Sequence, residues 1–315
     1  MAAPIPAETD LRVALIGLGD IARKAYLPVL AARPGLRLRL VTRNAAPLDE
    51  LGRKYRIEER HSDIGEAIEA GLDAAFVHAA TAAHPEIVEQ LLEAGVAVYV
   101  DKPLATDLDT CRRLVDMAEA AGRTLMVGFN RRYAPAYRQL LERPRNLILM
   151  AKNRRRLPGS PRQVVFDDFI HVVDTLLALV PAAVESRSID ARLVGGKLHH
   201  VTLRLAGEGF MAIGIMNRMS GSDEESLEVM GDGAKIRVEN LADVIDYDGD
   251  ERLTRRPDWK PATWVRGIDQ ICDRFLAAVR AGERLSGAEA LTTHALCEAV
   301  VREVEGEASS VSGDG

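Results

Sequence analysis

Short apolar runs alternate with amphipathic segments through the first 130 residues of the chain. The runs at residues 11–16 and 96–100 have the length and composition of buried parallel strands. Segments with helical periodicity, such as residues 21–32 and 108–121, separate these runs. The alternation predicts an α/β fold with a doubly wound parallel sheet over residues 11–130.

The pattern changes in the second half of the chain. Apolar and polar residues alternate in several runs between residues 188 and 239, which predicts an antiparallel sheet. Gly231-Asp232-Gly233 has the composition of a hairpin turn. Two closing helices are predicted over residues 268–281 and 288–303. We therefore expect a second α/β domain over residues 131–304.

Both ends of the chain are expected to lie outside these domains. Residues 1–10 hold two prolines and no basic segment followed by an apolar core, so they predict a disordered arm and not a signal peptide. Residues 305–315 are rich in glycine, serine and acids and predict a disordered tail.

The composition narrows the classes of function. The chain is 47% hydrophobic and 28% charged, as is typical of globular proteins, and its net charge of -6 gives no general attraction to nucleic acid or to anionic membranes. No apolar run approaches the roughly 18 residues of a spanning helix. Cys111, Cys272 and Cys297 lack metal-type spacing and predict buried thiols in a reducing compartment. We expect a cytoplasmic protein with a small-molecule substrate and no metal.

A glycine turn follows the first predicted strand, with the sequence Gly17-Leu18-Gly19-Asp20-Ile21-Ala22. In a G-x-G-x-x-A turn the first glycine allows a tight bend and the second lets the backbone approach a pyrophosphate. The final small residue allows close packing of helix on strand, and the helix N-terminus attracts the anion. We expect Gly17, Gly19, Asp20, Ile21 and Ala22 to bind a dinucleotide; a plain glycine turn is the alternative.

The second predicted strand ends in Thr42-Arg43-Asn44, without the carboxylate that usually binds the ribose of NAD. A hydroxyl and a guanidinium suit a 2′-phosphate, which favours NADP(H) over NAD(H). Further along, Ala80 and Thr81 belong to a loop of small residues that would lie against the cofactor. His84 begins the next helix, where it is either a structural cap or packing residue or a catalyst, and we include it among the expected cofactor-binding residues.

The strand at residues 96–100 ends in Asp101-Lys102-Pro103. Ligands of such sheets bind just past the carboxyl ends of the strands. Pro103 restricts Lys102 to extended geometry, which would aim the ammonium into a crevice. The alternative is a strand that ends at a solvated lysine.

Asp167, His171 and Asp174 follow a spacing of four and three residues within an otherwise apolar segment. This spacing places them on one face of a helix, where burial is costly without a purpose. An Asp one turn before a His suits general acid–base chemistry, and a structural ion pair is the alternative. The basic residues 152–156 are expected in a loop, either as a solvated face or as an anion-binding rim.

In this order and spacing, the three motifs resemble those of the Gfo/Idh/MocA oxidoreductases over residues 10–303. Residues 128–133, Gly-Phe-Asn-Arg-Arg-Tyr, and residues 166–176 are most similar to the MviM-like branch. The resemblance implies an N-terminal Rossmann domain and a C-terminal α/β domain whose open sheet forms a homodimer or homotetramer. It also implies a nicotinamide cofactor and a sugar, cyclitol or related carbonyl compound as substrate.

The resemblance also implies roles for individual residues. Lys102 matches the family lysine, although Asp101 stands where the family has Glu, and we expect both near the cofactor. His171 matches the acid–base residue and Asp167 its partner. Asp174 matches the last residue of that motif and is expected to bind substrate, together with Arg131, Asn153 and Arg154.

The expected reaction is reversible hydride transfer, in which His171 exchanges the proton and Lys102 stabilises the developing alkoxide. The basic residues leave open an anionic substrate such as a sugar acid or phosphate. The alternatives within this fold are NAD-assisted cleavage of a glycoside, reduction of an imine, and a cofactor sensor without catalysis.

Overall fold

The computed structural model describes residues 9–311, without the side chains of 307–311. Most of the predicted arm and residues 312–315 of the predicted tail lie outside these residues. The prediction of a disordered tail was wrong for residues 305–311, whose backbone is helical. The chain divides into two compact units: the first comprises the chain up to Gly128 with Ile268–Thr292, the second Phe129–Gly267 with the chain from Thr293 onward.

The first unit is built on six parallel strands in the order β3-β2-β1-β4-β5-β6. All four residues of β4 are buried, as expected for a strand covered on both faces. The strands are β1 (Leu11–Ile16), β2 (Leu36–Val41), β3 (Arg60–His61), β4 (Ala74–Val77), β5 (Ala97–Val100) and β6 (Leu125–Val127).

Helices connect the parallel strands of this unit. A π-helical turn, Ala22–Tyr26, continues directly into the first α-helix. The Asn44, Asp63 and Asp107 side chains cap the second, third and fifth helices by accepting backbone N–H bonds. The helices are α1 (Leu27–Ala31), α2 (Ala45–Tyr55), α3 (Ile64–Glu69), α4 (His84–Glu93) and α5 (Leu108–Ala120).

The second unit contains an eight-stranded sheet in the order β14-β13-β12-β11-β7-β10-β9-β8. Only β7 and β10 pair in parallel, and the other neighbours are antiparallel. The last two strands were not predicted. The strands are β7 (Leu147–Arg155), β8 (Ser186–Val194), β9 (Lys197–Gly207), β10 (Phe210–Ser220), β11 (Glu224–Gly231), β12 (Ala234–Glu239), β13 (Asp243–Asp248) and β14 (Asp250–Thr254).

Among the described residues, four α-helices lie wholly within this unit: α6 (Pro135–Arg138), α7 (Pro161–Val164), α8 (Ile170–Leu179) and α9 (Ala262–Val265). Helix α8 packs closely on the sheet, because a Cβ at Gly214 of β10 would lie 2.5 Å from Val172. A π-helical turn, Val165–Phe169, joins α7 to α8. These two sheets confirm the predicted fold class.

The last two helices are α10 (Ile268–Ala281) and α11 (Ala288–Val311). Helix α10 belongs to the first unit, where the ring of Phe275 lies 5.1 Å from that of Phe76. The assignment of residues 131–304 to one domain was therefore wrong for residues 268–292. Periodicity identifies the apolar face of a helix but not the sheet that this face covers. Between residues 9 and 311, no helix is both long and apolar enough to cross a membrane.

Candidate functional site

A crevice of about 610 Å³ lies at the carboxyl ends of β1, β2 and β4 in the first unit. This is the edge at which doubly wound sheets bind ligands, where the strand order reverses around β1. The volume is typical of small-molecule and cofactor sites. Five predicted cofactor residues line the crevice: Gly17, Gly19, Thr42, Arg43 and Ala80.

The two glycines of the turn differ in what surrounds them. Gly17 has φ +85°, and a Cβ there would lie 2.5 Å from the backbone nitrogen of Ala79. A Cβ at Gly19 would meet no atom of the described residues within 4 Å. The fold itself therefore requires Gly17, whereas Gly19 leaves open space beside the helix start. This arrangement fits a dinucleotide pyrophosphate.

The other residues of the turn lie outside the crevice lining. Ala22 is fully buried and allows the close helix packing that its size predicts. Asp20 is exposed and pairs with Lys24 at 2.5 Å. Ile21 is also exposed. Cofactor contacts by Asp20 and Ile21 remain predictions.

Arg43 is a basic residue of the crevice lining, just past the carboxyl end of β2. Its side chain is exposed, and residues 9–311 provide it with no hydrogen bond or ion pair. The neighbouring carboxylate, Asp63, is engaged in capping α3 by accepting from Gly65 N at 2.7 Å. Asn44 caps α2 by accepting from Ala46 N at 3.2 Å. Of these three side chains, the Arg43 guanidinium is therefore the one that is available to bind an anionic ligand.

His84 joins two loops at this edge of the sheet. Its Nδ1 lies 2.9 Å from the Pro103 carbonyl and its Nε2 lies 3.0 Å from the Ala79 carbonyl. Burial lowers the pKa of His84, although both carbonyls oppose the shift. The ring is buried and does not line the crevice, which favours the packing interpretation, and a cofactor contact by His84 stays a prediction. The adjacent Thr81 begins a short 3₁₀ helix.

Asp101 and Lys102 follow β5 as predicted, with a cis peptide bond between Lys102 and Pro103. The backbone N–H of Lys102 donates to Oδ1 of Asp101 at 2.8 Å. Burial would raise the pKa of Asp101, but His78 and the charge of Lys102 outweigh it and hold the pKa below its usual range. Asp101 is therefore a carboxylate at neutral pH.

His78 was missed by the sequence interpretation. It directly follows β4, and its side chain is fully buried with Nδ1 3.6 Å from Oδ2 of Asp101. The sequence contains a weak signal for this pair, since each residue comes immediately after an apolar strand. Recognising it requires the register of β4 on β5, which pairs Val77 with Val100.

The predicted acid–base residues of the second unit lie on the helix that packs against the sheet. Asp167 is exposed in the π-helical turn, and His171 is half-buried in the first turn of α8. The carbonyl of His171 accepts from the Thr175 hydroxyl at 2.7 Å.

Asp174 was expected to bind substrate, which stays a prediction, and the structure places it in a buried ion pair. Its side chain is 1% exposed, and both carboxylate oxygens accept from Nε of Arg132 at 2.9 Å. The hydroxyl of Thr293 also donates to Asp174, at 3.2 Å. The interpretation as a structural ion pair therefore holds for Asp174, with Arg132 of the 128–133 motif as its partner.

Glu225 of β11 lies at the centre of a buried group of charges that we call the Glu225 cluster, formed with Arg131, Tyr137 and Lys152. Its carboxylate accepts from Nε and Nη2 of Arg131 at 2.8 Å each, from Lys152 at 2.9 Å and from Tyr137 at 3.0 Å. Burial would raise the pKa of Glu225, but Arg131 and Lys152 hold it well below its usual range. Burial and the Arg131 charge lower the pKa of Lys152 to about 8.

The predicted basic loop is the end of strand β7, not a loop. Arg154 forms two hydrogen bonds to Asp168, at 2.7 and 2.8 Å, and Asn153 donates to Glu224 at 2.7 Å. Substrate binding by Arg131 stays a prediction, and the structure places this residue in a buried ion pair with Glu225. The side chains of Asn153 and Arg154 also form hydrogen bonds to carboxylates. The pairing of β7 with β11 sets Glu224 opposite Asn153, whereas the partner of Arg154 lies in the π-helical turn before α8.

Two family models match the chain. One describes an oxidoreductase family with an NAD-binding Rossmann fold and matches residues 11–129, and the other describes a YceM-like C-terminal domain and matches residues 135–247. The chain is 33% identical to the protein named as oxidoreductase YceM of Salmonella typhimurium, over 94% of this chain and 99% of that protein. It is 30% identical to myo-inositol dehydrogenase Hyg17 of Streptomyces leeuwenhoekii, over 79% of this chain and 67% of that protein.

Solved structures support the same relationship. A Gfo/Idh/MocA family oxidoreductase from Vibrio cholerae matches with a TM-score of 0.91 and 31% identity, over 95% of this chain and all of that one. The MviM dehydrogenase from Clostridium difficile matches with a TM-score of 0.89 and 29% identity, over 94% of this chain and all of that one. With an NAD-binding Rossmann fold, its own mostly antiparallel sheet and relatives that span its length, the chain belongs to the Gfo/Idh/MocA family of oxidoreductases.

Proposed function

We propose that this oxidoreductase uses NADP(H) to transfer hydride to or from the carbonyl or hydroxyl carbon of a sugar, cyclitol or related small molecule. The observation that carries the proposal is the crevice, whose lining includes both the open space at Gly19 and the available guanidinium of Arg43. The similarity to a myo-inositol dehydrogenase supports the class of substrate.

Three residues carry the chemistry in this proposal. When bound, the nicotinamide supplies or accepts the hydride. Lys102, which follows β5, binds the substrate oxygen and stabilises its developing negative charge. His171 exchanges a proton with that oxygen, and Asp167 orients the imidazole. The ion pair between Asp174 and Arg132 supports a structural role for Asp174 in this proposal.

The choice of cofactor is tested by the Arg43→Ala variant. A charge-assisted hydrogen bond contributes about 1.5–3 kcal/mol, so loss of one contact to the 2′-phosphate corresponds to a roughly 10- to 150-fold weaker Kd for NADPH. The Kd for NADH should remain nearly constant. Fluorescence titrations of both cofactors measure these values, with the exposed Arg53→Ala on α2 as the control. Equal losses for NADH and NADPH would reject the preference for NADP(H).

The reaction is tested with cyclitols, neutral sugars, sugar acids and cyclic imines, while nicotinamide absorbance is monitored. Net consumption of NADPH with a carbonyl compound supports the proposal. Glycoside cleavage would recycle the cofactor, a sensor would leave it unchanged, and consumption with imines alone would identify an imine reductase. If the protein turns over sugar acids and this turnover falls in Arg154→Ala, the result would support the hypothesis of an anionic substrate.

The acid–base role is tested by His171→Ala, which should lower kcat by about 10²- to 10⁴-fold. The Kd for NADPH should change little, because His171 exchanges a proton with the substrate. An unchanged kcat in this variant would remove His171 from the mechanism.

The sheet of the second unit supports a proposal about assembly. Leu149 of β7 and Ile213 of β10 are register neighbours, and Ile215 of β10 is 39% exposed on the same face. We propose that this face joins two or four copies of the chain. Sedimentation of Ile215→Asp should give a smaller particle than the wild type. Three buried cysteine thiols support a reducing, cytoplasmic location, which cell fractionation tests.

A further inference from the structure

The feature that the proposed chemistry leaves unexplained is His78, beside the cofactor crevice. Its side chain is fully buried, and neither ring nitrogen has a hydrogen-bond partner among residues 9–311. Buried polar atoms are nearly always paired, so such a residue requires an explanation. The ring packs against the ring of Tyr26 in a tilted arrangement, at a centroid distance of 4.0 Å, which holds it in place.

The register of the parallel sheet places His78 beside Asp101. Val77 of β4 pairs with Val100 of β5, and each of the two polar residues comes next in its strand. Nδ1 of His78 lies 3.6 Å from Oδ2 of Asp101, at the edge of hydrogen-bonding range. An ionised carboxylate only accepts hydrogen bonds, so this contact requires the proton of the imidazole on Nδ1.

Asp101 in turn contacts the backbone of Lys102. Its second oxygen, Oδ1, accepts the N–H of Lys102 at 2.8 Å. One carboxylate therefore bridges a buried imidazole on one strand and the backbone of the lysine that follows the next strand. The hydrogen bond from Lys102 holds one oxygen of this carboxylate, and the buried imidazole that lies 3.6 Å from the other oxygen restricts its rotation.

We propose that His78, which lines the crevice, is a positioning residue that acts through Asp101 to fix Lys102 at the carboxyl end of β5. This inference rests on the proposed function for its catalytic consequence, because Lys102 is the group that would stabilise the substrate oxygen. The link from His78 to Asp101 and Lys102 is a property of the first unit alone. It can therefore be measured without any turnover.

The first test is the tautomer of His78. In the full-length protein labelled with ¹⁵N-histidine, His78→Leu identifies the His78 signals among those of seven histidines. We expect the proton on Nδ1 and an altered pair of His78 signals in Asp101→Asn. A proton on Nε2, or His78 signals that are unchanged in Asp101→Asn, would overturn the proposal.

The second test follows Lys102 itself. The chain has seven lysines, so reductive ¹³C-methylation gives a simple spectrum in which Lys102→Arg assigns the Lys102 signal. That signal should move in His78→Leu and stay in place in His78→Asn. The Asn side chain retains an N–H at the position of Nδ1, whereas Leu fills similar space without a donor. A Lys102 signal that is the same in wild type and His78→Leu would refute the link.

The third test separates positioning from packing. With NADPH and the best carbonyl substrate of the panel, kcat should fall about 10- to 100-fold in His78→Leu, the loss typical of a group displaced by about 1 Å. In His78→Asn kcat should remain close to the wild-type value, although the smaller Asn side chain should lower Tm more than Leu does. The Kd for NADPH should hold in both variants, as should all parameters of the exposed control His200→Leu.

If His78 served only packing, the order would reverse: Leu would preserve kcat and Asn would lose it along with Tm. That result would overturn the inference. If the wild type transfers no hydride to any compound, the proposed function fails, and the two NMR tests alone decide whether His78 positions Lys102.

Discussion

Replacement of Glu225 by Gln is the perturbation whose size the structure defines best. The carboxylate has an exposed fraction of 7% and bonds to Arg131, Lys152 and Tyr137, whose donors all point at it. Gln preserves the shape but removes the negative charge and turns one acceptor into a donor. Arg131 and Lys152, which are 7% and 4% exposed, then lose their counter-charge. Removing one partner of a buried ion pair costs about 3–5 kcal/mol, and we expect Glu225→Gln to lose this amount of unfolding free energy.

The assay is urea unfolding followed by tryptophan fluorescence. Both tryptophans, Trp259 and Trp264, belong to the second unit and so report on the unit that contains Glu225. The midpoint should fall at a nearly constant slope. Glu224→Gln is the matched control, because Glu224 is the next residue of the same strand, is exposed, and should change the free energy by less than about 0.5 kcal/mol.

The same variant should show a characteristic dependence on pH. The pKa of Lys152 is lowered to about 8 in the folded protein, and loss of Glu225 lowers it further. A group with a lowered pKa binds fewer protons when folded than when unfolded, so stability rises as pH increases through the folded pKa. The deficit of Glu225→Gln should therefore be smaller at pH 9 than at pH 7. A midpoint equal to that of Glu224→Gln, or a deficit that grows with pH, would refute this account of the Glu225 cluster.

Two further pairs of variants test other parts of the structure. Gly17→Ala should lower Tm, because a left-handed backbone costs a non-glycine residue about 1–2 kcal/mol and its Cβ would strike Ala79, whereas Gly19→Ala should keep Tm and weaken NADPH binding. Equal Tm values for the two would contradict the distinction between them. Asp174→Asn should lower the free energy of unfolding by about 3–5 kcal/mol, because it removes the negative charge that pairs with Arg132. Thr293→Val should lower it by about 1 kcal/mol, because one hydrogen bond is lost. Urea titrations measure both, and similar losses would argue against the ion pair as the dominant interaction.

The local features of the fold were predictable because each depends on residues close in sequence. An uninterrupted apolar run such as Ala74–Val77 can be satisfied only where both faces are covered, which indicates a parallel strand. The glycine turn was recognisable for the same reason, since Gly17 needs a positive φ and the adjacent strand and helix supply its context.

Sequence interpretation was least informative for residues whose role depends on a partner that is distant in the sequence. Asp174 and Asp167 look alike in sequence, but Arg132 neutralises Asp174 in the core, whereas Asp167 is exposed. The basic residues near 152 suggested a ligand site until strand pairing set Glu225 opposite Lys152. The role of His78 can be recognised only from Asp101, its neighbour after the next strand of the sheet. Strand register and the sign of a buried partner are not local properties.

The position of α10 has a consequence for how the protein is made. Phe275 packs on Phe76 and Tyr99 in the core of the six-stranded sheet, and Leu285 accepts a hydrogen bond from Leu125 at the sheet edge. The nascent Rossmann segment therefore leaves the ribosome long before the helix that covers it is synthesised. Until then it exposes aromatic surface, so the need for chaperones and the yield of truncated proteins should depend on residues 268–292. A gene fragment ending at residue 130 encodes the complete parallel sheet but an unfinished core.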